Sequence, residues 1–356
     1  MTSTNSSSMT SDAEVEESIR EVLERHLKME ARTFQQLKGG RNSRVFRVDC
    51  ADGEAVAVKA YFRSAQDRRD RMGCEFRALQ LLQQEGLRKV AAPLAADEAR
   101  QVAIYEFIKG RPLSSGEINP AEIDQVLDFL GSLKQIAAGG MAVDFPAASE
   151  ACFSIDAIFE NLDGRFQGLE CAATREPTLA QFLERQFIPF RKAAEEWCRD
   201  FCRGHGIDLS KEVSTDARTL SPSDFGFHNT LRRPDGQLVF LDFEYFGWDD
   251  PTKTICDFLL HPGMQLPPEL KQQFFAGAIS VFSKSPKIEL RVCAVYPLFA
   301  LKWCTILLNE FTLDHMLRRS FAVSAPGVWS QTAQLEKARR LLGQAMDDYR
   351  NFPYHI

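Results

Sequence analysis

The chain has 356 residues, 44% hydrophobic and 26% charged, the balance of an ordinary globular protein long enough for two lobes with separate cores. A net charge of −6 without a basic stripe argues against a general nucleic-acid binder; Arg68, Arg69 and Arg71 and the isolated Arg318 and Arg319 read as solvated faces, although either of the last two suits an anionic substrate as well. Nine cysteines lack a disulfide or zinc rhythm, and Cys198 and Cys202, one helical turn apart, read as reduced core residues of a cytoplasmic protein.

Residues 1–11 are polar, without an apolar signal core, and are expected to form a disordered tail. A capping box at Ser11 and Glu14 then opens a helix with Val15, Ile19 and Val22 on its apolar face. Residues 34–37 read as a strand, 38–43 as a flexible loop containing Gly39, Gly40, Asn42 and Ser43, and 45–48 as a second strand. Asp52 and Gly53 turn the chain into a third strand over 55–61. If those two residues form a two-residue turn, Lys59 faces Phe46 near the mouth of the glycine loop, within reach of phosphates held there. The glycines allow the backbone close to an anion, but Gly39 and Gly40 describe a plain turn equally well and lack the G-x-G-x-x-G spacing.

Residues 71–84 carry Met72, Phe76, Leu79 and Leu82 at helical spacing, with Gly86 as a stop. Glu75 on this helix either pairs with Lys59 and aims it at phosphates, or simply faces solvent. The apolar strand over 102–108 runs into Gly110, and its end offers backbone groups to an adenine edge. Asn119 and Pro120 read as an N-cap with proline at the first helical position, followed by a buried stripe of Ile123, Leu127 and Leu130. A long helix is expected over 179–201, burying Phe182, Phe190, Ala193, Trp197 and Phe201.

Residues 221–244 are the most informative stretch. Asp224, Asn229 and Asp242 supply one carboxylate for a nucleophile and two oxygen ligands for magnesium, the minimum that phosphoryl transfer demands. A two-residue turn at Asp235 and Gly236 places Asn229 opposite Asp242, with Cβ atoms roughly 4.5 to 5.5 Å apart, close enough to share a cation. An ordinary exposed hairpin has the same spacing. None of the six histidines forms a metal or nucleophile signature, and His228 reads as a structural hydrogen-bonding residue or a substrate contact. Three more helices are expected over 270–282, 292–311 and 332–349, with Trp303 and Phe311 either in the core or lining an acceptor pocket. The longest apolar run, 292–301, is too short to span a bilayer and contains Pro297, so no membrane segment is implied.

Taken in order, glycine loop, strand Lys, helix Glu, linker, Asp-x4-Asn and strand Asp, the chain resembles the aminoglycoside phosphotransferase and choline kinase superfamily of protein-kinase-like enzymes over roughly residues 30–350. The resemblance implies an α+β, bilobal protein-kinase-like fold: a small antiparallel-sheet N-lobe over 12–108 and a larger, mainly helical C-lobe over 109–356. It implies that Gly39, Gly40, Asn42 and Ser43 cover the phosphates of ATP or GTP, that Lys59 contacts the α and β phosphates, and that Glu75 holds Lys59. The Glu106 carbonyl and the Ile108 N–H would bind the adenine edge. Asp224 would be the catalytic base, with Asn229 and Asp242 holding Mg2+. Asp250, Pro251 and Asp257 also look like this family; Asp249, Asp250 and Asp257 would support the metal loop or cap the next helix. One departure concerns the histidine that the family usually carries two residues before the catalytic Asp, where it packs the catalytic loop against the metal-binding segment. Here that residue is Pro222.

The activity implied is transfer of a γ-phosphoryl group to a hydroxyl of a small metabolite. A sugar or amino sugar is preferred, because the C-terminal third has no dense acidic cluster suited to a polycation. The alternatives are an aminoglycoside or amino-alcohol kinase, a non-catalytic nucleotide-binding regulator and a protein kinase, the last opposed by the short segment over 243–254. No nucleic-acid or membrane partner is expected, and the oligomeric state is not legible.

Overall fold

The computed structural model describes residues 12–37, 43–62, 69–312 and 331–354. The expected cap Ser11, the loop residues Gly39, Gly40 and Asn42, and Arg68, Arg318 and Arg319 lie outside the described residues. Helix α1 (Asp12–Leu27) precedes strands β1 (Ala31–Leu37), β2 (Ser43–Cys50) and β3 (Ala55–Tyr61), then helix α2 (Arg71–Gln84) and strands β4 (Pro93–Asp97) and β5 (Val102–Glu106). The strands form one antiparallel sheet in the order β1-β2-β3-β5-β4. Val56, Val58 and Ala60 of β3 join Val15, Ile19 and Val22 of α1 in one core, whereas Tyr61 of β3, with Ala103 and Tyr105 of β5, joins Met72, Leu79 and Leu82 of α2 in another. The period-two alternation of a strand therefore puts Lys59 on the face that α2 covers.

After β6 (Arg111–Pro112), helices dominate: α3 (Pro120–Ala138), α4 (Ile155–Ala173), α5 (Pro177–Phe182) and α6 (Ile188–Gly204). Four short strands follow, β7 (Thr219–Ser221), β8 (Thr230–Arg232), β9 (Leu238–Phe240) and β10 (Gly247–Asp249), then helices α7 (Pro251–Leu260), α8 (Pro268–Val281), α9 (Ile288–Leu307) and α10 (Gln331–Asp348). Strand β8 lies between β6 and β9, and β7 pairs with β10. The fold is α+β, an antiparallel sheet followed by a helical body. Asn119 caps α3 in a capping box with Glu122, and Pro120 begins the helix, as the sequence implies.

Both tight hairpins are one residue longer in the loop than expected. Lys59 pairs with Val45 rather than Phe46, and Phe240 with Thr230 rather than Leu231. In the first loop the Cys50 N–H donates to the Glu54 carbonyl (2.8 Å) and the Gly53 N–H to the Cys50 carbonyl (3.1 Å). In the second the Arg233 N–H donates to Gln237 (2.8 Å) and the Gly236 N–H to Arg233 (3.0 Å). Gly53 and Gly236 adopt φ of +89° and +86°, so each occupies the left-handed position that ends a three-residue loop.

The run expected as one helix over 179–201 consists of α5, a π turn at Leu183–Phe187, and α6. Pro189 has no N–H to return to the preceding turn, and the wider turn absorbs that defect. The extra residue shifts the helical phase: Ala194, Cys198 and Cys202 are buried, while Ala193, Trp197 and Phe201 are half-buried. Helix α4 lies where the sequence reading places none, and α7, for which no bounds are expected, is the next helix that Asp250 caps, its carboxylate accepting the Thr252 N–H at 2.9 Å. All ten residues of α7 are buried, so no polar face reveals its period.

Helix α9 corrects the argument from length. The apolar helix continues past residue 301 to Leu307 and through a 3-10 turn at Leu308–Phe311, and these 24 residues are long and apolar enough to cross a membrane by length and composition alone. Its apolar window is 89% buried, however, and α9 packs against α4, α6, α7 and α10. All nine cysteines are free, with Cys198 and Cys202 buried.

Gly247 lets β10 run against residues 146–148: a Cβ there would lie 2.4 Å from the Pro146 carbonyl oxygen and 2.6 Å from the Ala148 nitrogen, whereas one on Gly343 in α10 would meet nothing within 4 Å. Gly247→Ala is expected to lower the unfolding free energy by about 1–3 kcal/mol. Gly343→Ala is expected to raise it by up to about 1 kcal/mol, urea denaturation reading both.

Candidate active site

The Lys59 ammonium donates to both carboxylate oxygens of Glu75 at 2.8 Å and to Asp242 Oδ1 at 3.1 Å. Glu75 is only 3% exposed, which removes the solvent-facing alternative. The helical spacing of Arg71, Cys74 and Glu75 turns one face of α2 toward β3 and residues 242–246. Cys74 Sγ donates to the Phe246 carbonyl at 3.3 Å, and Arg71 Nε lies 3.6 Å from Glu244 Oε1. The Tyr61 hydroxyl donates to Glu75 Oε2 at 2.6 Å and in turn accepts from the Tyr105 hydroxyl at 2.8 Å. These tyrosines are absent from the sequence reading, yet strand alternation alone places Tyr61 beside Lys59 and Tyr105 beside Ala103.

Burial opposes the charge on Lys59, but Asp242, then Glu75 and Glu244, outweigh it and hold the ammonium well above the usual lysine range. Burial, then Glu75, pushes both tyrosines up, so their hydroxyls stay protonated as donors. Burial, then the Asp242 carboxylate, lifts Glu244 to about 7.

Strand β7 delivers the chain to Pro222, after which Ser223 takes φ +68° and the Asp224 N–H donates to the Pro222 carbonyl at 2.9 Å. Asn229 Nδ2 donates to the Asp224 carbonyl at 2.9 Å, which closes the loop and turns the amide oxygen away as an acceptor. The Leu241 N–H donates to the Asn229 carbonyl at 2.9 Å. Asn229 is therefore aligned with Leu241, one residue short of the expected partner Asp242, as the longer loop requires. Asp242 then leaves the ladder at φ +68°.

Asp224 is more open than Glu75 or Asp242, its side chain 35% exposed. His228 Nε2 lies 3.0 Å from Asp224 Oδ1, the structural hydrogen bond expected of it. His261 Nε2 lies 3.6 Å from the same oxygen, and the two imidazoles stack with centroids 3.6 Å apart and planes 5° from parallel. Nothing local in the sequence marks His261; the turn after α7 brings it here. The three ligating atoms of Asp224, His228 and His261 fall within 4.8 Å of one another. Rings 3.6 Å apart and nearly parallel nevertheless keep their in-plane lone pairs in two separate planes rather than aiming them at one point. His261 Nδ1 also accepts the Gly263 N–H at 3.1 Å, which leaves the ring proton on Nε2, facing Asp224. The cluster suits donation to a carboxylate better than metal ligation.

At the linker, the Glu106 N–H donates to the Ala92 carbonyl at 2.8 Å, and its carboxylate accepts the Ala92 N–H and pairs with Arg233, both at 3.2 Å. Ile108 is buried, and among the described residues its N–H has no hydrogen-bond partner. A Cβ on Gly110 would lie 3.0 Å from the Arg232 carbonyl oxygen, so glycine permits the approach that lets β6 pair with β8. Ser43 is buried opposite Tyr61 at the start of β2. Trp303 and Phe311 are core residues: both are buried, and Trp303 Nε1 donates to Asp257 Oδ1 at 3.0 Å. Asn229 and Asp242 offer hard oxygen donors, and three carboxylates, Glu75, Asp242 and Glu244, face Lys59 and Arg71. That donor set fits Mg2+.

Tyr61→Phe removes a hydrogen bond to a buried charged acceptor and is expected to cost about 1.5–3 kcal/mol of stability, whereas Tyr105→Phe removes a neutral bond and is expected to cost about 1 kcal/mol. Chemical denaturation of the two variants checks the order.

The family model described as the phosphotransferase enzyme family matches residues 33–284. No curated protein matches. Among solved structures, the chain is similar to a spectinomycin phosphotransferase in complex with ADP and spectinomycin, at 11% identity and a TM-score of 0.63, covering 93% of this chain and 97% of that one. It is also similar to a choline kinase from Streptococcus pneumoniae (16% identity, TM-score 0.59, covering 92% and 99%) and to an ethanolamine kinase from Plasmodium vivax (12%, 0.59, 94% and 89%). At such identities the likeness is one of fold, and the fold is the kinase-like one that the resemblance implies. With more than half of its length matched by the family model, the chain belongs to the phosphotransferase enzyme family.

Proposed function

We propose that the chain transfers the γ-phosphoryl group of ATP, in the presence of Mg2+, to a hydroxyl of a sugar or amino sugar. The observation that carries this reading is Lys59, clasped between Glu75 and Asp242. Glu75, itself held by Tyr61, aims the ammonium at the α and β phosphates, the role of binding them falling also to Gly39, Gly40, Asn42 and Ser43 as the resemblance implies. The Glu106 carbonyl and the Ile108 N–H take the adenine edge, and GTP remains an alternative donor because these groups belong to the backbone. Asn229 and Asp242 would hold Mg2+, which when bound neutralises charge on the transferring phosphoryl group. Asp224 accepts the hydroxyl proton as the acceptor oxygen bonds to the γ phosphorus and the bond to the β-phosphate oxygen breaks. Its exposure gives an acceptor access, and the contact with His228 holds the carboxylate in place.

The surroundings of Asp224 support a sugar over an aminoglycoside. The side chains flanking it are His228 and His261, and the charges nearby are balanced: Lys253, Lys302 and Arg165 pair with Asp249, Asp257 and Glu150. Among the described residues a polycation would find no surplus of carboxylates there. Nine unpaired cysteines agree with a reducing, cytoplasmic setting.

Nucleotide consumption by the wild type and Asp224→Asn, with Mg2+ and a panel of sugars, amino sugars, amino alcohols and aminoglycosides, tests the proposal. Turnover with a sugar or amino sugar is expected, and the variant should lose at least about a hundredfold in kcat while still binding ATP. Turnover confined to aminoglycosides or amino alcohols would overturn the acceptor assignment. Nucleotide binding without turnover across the panel would favour a non-catalytic regulator.

A further inference from the structure

Pro222 stands where the resemblance implies a histidine, and the side chains around it hold the loop here. Ser221 Oγ accepts the Ser223 N–H at 3.0 Å and the Thr254 hydroxyl at 3.3 Å. Ser223 Oγ donates to the Ser149 carbonyl at 3.1 Å and accepts from Lys253 Nζ at 3.0 Å. The two serines that flank Pro222 are thus gripped by consecutive residues in the first turns of α7.

Lys253 is only 1% exposed, and all three of its N–H donors have an oxygen in reach: Ser223 Oγ, Asp249 Oδ2 at 2.7 Å and Asp257 Oδ2 at 3.2 Å. Its anions are themselves anchored. Asp249 Oδ1 accepts the Asp250 N–H at 2.9 Å, and Asp249 pairs with Thr219 across the β7–β10 ladder. Asp257 Oδ1 accepts the Trp303 indole N–H, and Lys302 lies 3.8 Å from its other oxygen. Burial opposes charge on Lys253, but Asp249 and then Asp257 outweigh it, so the ammonium persists as a donor. What it holds is a serine at φ +68°, a left-handed conformation that side chains other than glycine disfavour, immediately before Asp224.

We propose that Lys253 is a positioning residue: through Ser223 Oγ it sets the backbone that carries Asp224, the scaffold role the resemblance gives to a histidine at this position. The catalytic half of this inference rests on the kinase reading; the tether itself does not.

The test uses the full chain and two measurements, backbone hydrogen–deuterium exchange over residues 223–226 without substrate, and kcat and KM for ATP with the acceptor that the panel identifies. Ser223→Ala removes the hydroxyl that links Lys253 to the loop, together with its bond to the Ser149 carbonyl, but leaves Lys253 paired with Asp249 and Asp257, so the fold is retained. Ser223→Gly cuts the tether as well and also relieves the left-handed backbone. Both variants are expected to exchange about tenfold faster in this segment. Both should lose about tenfold in kcat, with KM for ATP within about twofold of wild type. Unchanged exchange in Ser223→Ala overturns the proposal, as does faster exchange at wild-type kcat. Wild-type kcat in Ser223→Gly also overturns it, because backbone conformation alone would then place Asp224. Faster exchange in both variants of a protein whose wild type phosphorylates nothing upholds the tether and overturns the kinase reading instead.

Discussion

An ammonium withdrawn from water is tolerated only where carboxylates surround it, and Lys59 draws them from two distant parts of the chain, Glu75 on α2 and Asp242 beyond the β8–β9 hairpin. Much of the N-terminal architecture serves that requirement. Strand alternation puts Lys59 on the inner face of the sheet, α2 covers that face, and Cys74 and Arg71 bring the same helix onto residues 243–246. Tyr61, backed by Tyr105, also donates to Glu75 Oε2, so the position of Glu75 is decided before any ligand arrives. Because Asp242 is also a candidate metal ligand, one contact joins the N-terminal sheet to the segment proposed to carry the base and the metal ligands.

A second buried lysine plays a matching part at the other end of that segment. Ser223 and Asp242 bracket the candidate catalytic loop and the β8–β9 hairpin, and both are non-glycine residues at φ +68°. Lys59 donates to the side chain of one and Lys253 to the side chain of the other. A left-handed residue without glycine costs about 1–2 kcal/mol and persists only where its surroundings over-determine it. The two ammonium groups provide that constraint at each boundary, one rooted in the sheet and α2, the other in β10, α7 and α9. Between them, the Asn229 amide and the Leu241 N–H tie the loop back onto its own backbone.

Where sequence reasoning went astray, local physics explains the error. An Asp-Gly pair signals a hairpin without saying whether glycine is the second of two loop residues or the last of three, and at both Gly53 and Gly236 it is the last. The slip moved Lys59 from Phe46 to Val45 and Asn229 from Asp242 to Leu241. In the helix expected over 179–201, the phase drifted by one residue because Pro189 demands a π turn that a fixed period of 3.6 does not contain. The bounds of α7, whose cap Asp250 the sequence does suggest, are not legible because burial on every side erases the polar face on which periodicity depends.

The sequence by itself determined what is local: the bounds of α2 and β3, the capped start of α3, the shared strand face of Lys59 and Tyr61, and the order of Lys59, Glu75, Asp224, Asn229 and Asp242 along the chain. Each follows from side-chain period, capping or residue chemistry within a few neighbours. Tertiary structure alone decided that Glu75 is buried against Lys59 rather than solvated, that His261 stacks on His228 beside Asp224, and that Lys253 reaches Ser223 across 30 residues of chain. These contacts depend on how loops close and how buried charges find partners across the fold, and no local pattern encodes either.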